Sequence, residues 1–109
     1  MLYPVSVQVR MLLPAADVHG RSALHLASAA RQVNIVNALL RRQADVNISD
    51  RLSRTPLMEA VAAGYRDVVE DLLQAAPNVA VRDAGGLRAV DMSEDPGIVA
   101  LLDRALVAR

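Results

Sequence analysis

Residues 17–49 read DVHGRSALHLASAARQVNIVNALLRRQADVNIS, and residues 50–82 read DRLSRTPLMEAVAAGYRDVVEDLLQAAPNVAVR. In register, Asp17 falls on Asp50, Leu24 on Leu57, Ala27 on Ala60 and Val36 on Val69, while Leu39 and Leu40 fall on Leu72 and Leu73. A third copy opens at Asp83, again 33 residues on. It keeps Val90 and Ser93 at the Leu24 and Ala27 places, then reaches Leu101 and Leu102 four residues early. Self-similarity at a fixed period predicts a stacked array, because no such unit can bury its apolar face alone.

Within a unit the signals follow a set order. Asp17 and Gly20 bracket a turn, Asp as an acceptor for nearby backbone N–H groups and Gly as a residue free to take positive φ. Ser22 offers an N-cap ahead of Ala23, Leu24 and His25. Val33, Val36, Leu39 and Leu40, spaced three and four apart, share one face of a second helix. In the next unit Thr55 caps and Pro56 is pre-set for the first helical position, and Val68, Val69, Leu72 and Leu73 form the stripe. Val or Ile, two residues, then Leu-Leu recurs at residues 9–13, 36–40, 69–73 and 98–102. The first of these suggests a lone capping helix over residues 5–13, although Val5, Val7 and Val9 alternate with polar residues in strand fashion.

The expected organisation is one domain over residues 1–109: a partial capping helix in 1–16, repeats at 17–49 and 50–82, and a shortened C-terminal capping repeat at 83–109. Apolar residues make up 53% of the chain, mostly Ala, Val and Leu, with two Tyr and no Phe or Trp. Such a core suits closely packed short helices. Twelve basic side chains, all arginine, balance twelve acidic ones, and with so few stacking aromatics a nucleic-acid role is disfavoured. No apolar run reaches the roughly 20 residues of a membrane span. The opening MLYPVSVQVRMLLPAA lacks a basic start and places Gln8 and Arg10 where a signal peptide needs unbroken apolar residues. With no cysteine, the expectation is an intracellular chain, cytoplasmic or nuclear.

The two full units resemble ankyrin repeats, 33-residue units of a β-turn and two helices with a T-P-L-H-x-A core. Residues 22–27 (SALHLA) and 55–60 (TPLMEA) match that core, and residues 44–47 (ADVN) are similar to the family's exit turn. The resemblance is strong over residues 17–82 and looser from 83 to about 106. It implies an all-α solenoid of stacked helix-turn-helix units with short β-turn fingers. It also implies that His25 bonds Ser22 and a neighbouring loop. Departures from the pattern are local. Arg31, Gln43, Ser53 and Ala76 stand where the family usually has Gly, so Gln43 and Ala76 are expected to hold left-handed caps at about 1 kcal/mol against Gly. Met58 and Asp91 stand at the His25 place. The third unit is expected to have shortened helices with a break at Asp95, Pro96 and Gly97.

No chemistry stands out. Ser22, His25 and Asp17 could mimic a nucleophile, base and orienter, but a capping hydroxyl is already engaged. Gly85 and Gly86 form a turn with neither phosphate-loop pattern around it. Asp67, Glu70 and Asp71 read as a solvated helix face, and Arg88 with Asp91 as a surface ion pair. No catalytic, cofactor or metal residue is assigned. The resemblance instead directs attention to the concave face and turn tips, where the family docks proteins. Carried over, those positions are Val18, His19, Arg21, Arg51, Leu52, Arg54, Arg82 and Leu87. Arginines beside exposed leucines suit an acidic partner segment with one or two apolar anchors. The expected role is a non-catalytic protein-interaction module. An enzyme-docking inhibitor, for example of a kinase, and a regulatory segment of a larger protein are the alternatives, and the exposed edges leave self-association open.

Overall fold

The computed structural model describes residues 20–107. The helix expected over residues 5–13 lies outside the described residues, as do Val18 and His19. Five α-helices and one 3-10 turn follow in order: α1 (Ala23–Ala29), α2 (Val33–Arg41), α3 (Pro56–Ala63), α4 (Arg66–Gln74), the 3-10 turn (Ala89–Met92) and α5 (Pro96–Val107). The starts of α1, α3 and the 3-10 turn are 33 residues apart, as are those of α2 and α4. No strand is present among the described residues. The chain is an all-α solenoid, as its repeat implied.

Each unit begins on a cap. Ser22 Oγ accepts from His25 N at 3.3 Å while His25 Nδ1 accepts from Ser22 N at 3.1 Å, so two N–H groups left over at the helix start are satisfied reciprocally. Thr55 Oγ1 accepts from Met58 N, with Pro56 opening α3. In the third unit Asp91 takes over what His25 does in the first. Its Oδ2 accepts from Arg88 N at 2.9 Å and pairs with Arg88 Nε at 3.4 Å. That backbone N–H, helped by the guanidinium, holds the Asp91 carboxyl below the ordinary aspartate range.

The helix ends use the left-handed region. Gly64 has φ 79°, and Arg31, Gln43 and Ala76 adopt φ of 55°, 61° and 54°. After α2, Gln43 N bonds Leu40 O and Ala44 N bonds Leu39 O, the paired bonding by which a left-handed residue closes a helix. After α4 the outer bond cannot form, because Pro77 follows Ala76 and has no N–H. The left-handed caps expected at Gln43 and Ala76 are therefore present.

The units stack through their helices: α1 packs on α2 and α3, α3 on α4 and the 3-10 turn, α2 on α4, and α4 on α5. Leu24, Val36, Leu39, Leu57, Val68, Leu72, Ile98 and Leu102 are each 2% exposed or less. Burying one such side chain contributes about 1.5–3 kcal/mol. Ala27 and Ala60, also buried, let the first helices of adjacent units approach closely. Ser28 is fully buried and its Oγ has no hydrogen-bond partner. Val61 occupies the same place one unit later.

One expectation about the third unit is corrected. Its first helix is a single 3-10 turn, but α5, at 12 residues, is longer than α2 or α4 at nine each. The break expected at Asp95, Pro96 and Gly97 does separate the two helices, and Pro96 opens the second. Asp95 Oδ1 accepts from Gly97 N at 2.8 Å, and Pro96 sits at the first helical position.

Candidate docking face

Two turns of one design project from the stack. In the first, Asp50 Oδ1 accepts from Leu52 N at 2.8 Å and Arg54 N at 3.0 Å, and Asp50 N donates to Arg54 O. In the second, Asp83 Oδ1 accepts from Gly85 N and Leu87 N at 2.9 Å each, and Asp83 N donates to Leu87 O. Gly86 supplies the positive φ that the second turn needs, and Ser53 (φ 60°) carries the same conformation in the first. Ala84 N donates to Leu52 O at 2.8 Å, stitching the tips together. The consequence is outward display of Leu52, 60% exposed, and Leu87, 46% exposed.

His25 fixes the first turn to the helices. Its Nδ1 accepts from Ser22 N, so the ring proton sits on Nε2, which donates to Arg54 O at 2.6 Å. The imidazole is wholly buried and fully used. It is a strut between units, as the resemblance implied.

Beside that strut lies a depression of about 340 Å³ lined by Arg21, Asp50, Arg51, Leu52, Arg54 and Glu59. Four of the expected docking residues, Arg21, Arg51, Leu52 and Arg54, thus meet in one place. Arg82 does not join them, since its Nη1 donates to Gly86 O at 2.8 Å within its own turn. Leu87 is displayed on the adjoining tip. Ala30, Ala62 and Ala63, at the ends of the first helices, are exposed.

The face also holds residues that the sequence reading did not single out. Glu59 Oε1 stands 3.7 Å from Arg54 Nε, with the glutamate side chain 15% exposed and the arginine 28%. Leu26 is 41% exposed on α1, one repeat before Glu59. That 33-residue offset is the signal that could have found the pair, since equivalent positions share a face.

Ion pairs also form elsewhere. Arg31 Nε meets Asp67 at 3.3 Å and stacks over the Tyr65 ring at 5.6 Å, and Arg66 meets Glu70 at 3.3 Å. A second depression of about 370 Å³ between α2 and α4 is lined by Asn37, Leu40, Arg41, Asp71, Gln74 and Ala75. Among the described residues no group of three or more His, Cys, Asp or Glu could hold a metal ion, and no helix is long and apolar enough to cross a membrane.

A family model described as ankyrin repeats, three copies, matches residues 6–83. Curated relatives carry the same similarity. The chain is 34% identical over 103 residues to the probable E3 ubiquitin-protein ligase XBOS33 of Oryza sativa subsp. japonica, covering 86% of this chain and 20% of that protein. It is 40% identical over 75 residues to the E3 ubiquitin-protein ligase KEG of Arabidopsis thaliana, covering 68% of this chain and 5% of that protein. It is 32% identical over 77 residues to the inhibitor of Bruton tyrosine kinase of Homo sapiens, covering 70% of this chain and 6% of that protein. The chain therefore spans a fifth or less of these relatives.

Proposed function

Because the chain belongs to the ankyrin-repeat family, whose repeats are in general non-catalytic protein-interaction modules, we propose that it docks a partner protein through its turn tips and the concave face beside them. The observation that carries this reading is the depression where Arg21, Arg51 and Arg54 converge beneath the exposed Leu52. Arginine suits bidentate contact with carboxylates, and an apolar anchor next to it supplies the desolvated centre that interfaces use. The partner segment is acidic with an aliphatic side chain.

The test is affinity capture from a lysate of the source organism, with the native chain and an Arg51→Glu/Leu52→Ser variant as baits. Both side chains are exposed and make no hydrogen bond or ion pair among the described residues, so the variant keeps its fold. Arg54 is a poorer choice, because its side chain is mostly buried against Glu59. A partner retained by the native chain and lost by the variant supports the reading; identical captures sink it. A second reading, docking on a kinase as an inhibitor, draws on the relative that inhibits Bruton tyrosine kinase. Kinase assays with the isolated chain test it, and unchanged activity at saturating chain removes it.

A further inference from the structure

We propose that Ser53 is a phosphorylation site for an arginine-directed protein kinase, and that a phosphate there switches the turn-tip face off for an acidic partner segment. The second half rests on the turn-tip reading; the first does not. Two serines are exposed among the described residues, Ser49 and Ser53. Ser49 is followed by Asp50, whereas Ser53 lies between Arg51, two residues before it, and Arg54. The other serine and threonine hydroxyls are engaged or shut in. Thr55 is 5% exposed with Oγ1 accepting from Met58 N, Ser22 caps α1 from a buried position, and Ser28 is buried. Ser93 is half-buried, and its Oγ accepts from Asp95 N in an acidic stretch. Ser53 Oγ makes no hydrogen bond among the described residues, so its proton and its lone pairs are both open to an enzyme.

The local backbone favours access. Ser53 holds φ 60°, a conformation that costs a residue carrying a Cβ, so opening the turn releases strain at the very residue an enzyme must seize. The bonds to be opened are Ser53 N to Asp50 O and those from Leu52 N and Arg54 N to Asp50 Oδ1, the Leu52 bond lying at the surface. Arg51 is exposed and forms no ion pair, which leaves its guanidinium for carboxylates in a kinase's substrate groove. Arg54 is held by Glu59 and contributes less. Leu52, 60% exposed, supplies an apolar contact between Arg51 and the serine. In the transfer, Ser53 Oγ bonds to the γ-phosphorus of ATP as the bond to the bridging oxygen of ADP breaks, and the hydroxyl proton passes to the kinase's base. The product carries about −1.5 to −2 charge at pH 7 beside Arg51. It gives Arg51 an acceptor within the turn and repels the carboxylates of an acidic segment.

For the test, the native chain is incubated in a lysate of the source organism with γ-labelled ATP, re-isolated and mapped by tandem mass spectrometry. Label is expected on Ser53. It should vanish in Ser53→Ala, persist in Ser49→Ala and fall severalfold in Arg51→Gln, an exposed position where the change leaves the fold intact. No label, label on Ser49 or Thr55 instead, or full labelling of Arg51→Gln overturns the site. Phosphorylated and unphosphorylated chains then serve as paired baits in the capture experiment. A partner kept by the unphosphorylated chain and lost by the phosphorylated one is expected; equal capture by both overturns the switch. If neither bait retains a partner, the turn-tip reading falls and the switch with it, while the labelling result decides the site on its own.

Discussion

Replacing three ordinary residues by glycine should make this protein more stable, against the usual effect of glycine. Gln43, Ser53 and Ala76 adopt φ of 61°, 60° and 54°, and all three are exposed. Their side chains make no hydrogen bond or ion pair among the described residues, so truncation forfeits little. Holding a non-glycine residue in the left-handed region costs about 1–2 kcal/mol. Glycine removes that strain but enlarges the unfolded ensemble by about 0.5–1 kcal/mol. The net gain is about 0.5–1 kcal/mol per site, and the three sites share no partner, so the sum is about 1.5–3 kcal/mol. With a urea m-value of about 1–1.5 kcal/mol/M, the unfolding midpoint of Gln43→Gly/Ser53→Gly/Ala76→Gly should rise by about 1–3 M. Gly64→Ala is the mirror control. Gly64 has φ 79° and no atom within 4 Å of an added Cβ, so only backbone strain acts, and the midpoint should fall. Arg31 is left out because its side chain also meets Asp67 and Tyr65. A midpoint unchanged or lowered in the triple variant, measured by far-ultraviolet circular dichroism, refutes the strain argument.

Other expectations are as direct. His25→Ala removes the strut between units and leaves Ser22 N without its partner in a buried site, which should cost about 2–4 kcal/mol in urea unfolding; a loss below 1 kcal/mol would show that the strut is dispensable. Ser28→Ala deletes a buried hydroxyl that has no partner and improves helix propensity, so it should stabilise by about 1 kcal/mol; destabilisation would mean the hydroxyl is satisfied after all. Asp91 is held below its ordinary range chiefly by the Arg88 N–H. Because its folded value is the lower one, its contribution is complete above the ordinary aspartate range and is lost as pH falls through the depressed value. Hydrogen exchange should therefore show the 3-10 turn loosening at acid pH, with a smaller change in Asp91→Asn.

Most of the fold was legible because a repeat states its instructions twice. Ser22 and Thr55 cap, Val36 and Val69 fill equivalent places, and Gln43 and Ala76 could be assigned left-handed backbone only by alignment with a position that glycine usually fills. The third unit was harder. Pro96 and Gly97 have breaker chemistry, yet proline at the first helical position starts a helix, and only the Asp95 cap settles which role it plays. The candidate site was half legible. The turn register placed Arg51, Leu52 and Arg54 together, but the approach of Glu59 to Arg54 depends on how a turn leans against the next helix. The missing acceptor for Arg54 Nε and the orphaned Ser28 hydroxyl are properties of packing, which no local pattern encodes.

The most direct test of a turn-tip docking face is site-specific photo-crosslinking in a lysate of the source organism, with benzoyl-phenylalanine placed at Leu52 in one chain and at Gln74, on the α2–α4 side, in another. The account predicts a discrete crosslinked partner from position 52, competed away by excess native chain, and none from position 74. A partner captured from position 74 alone, or none from either, would contradict it.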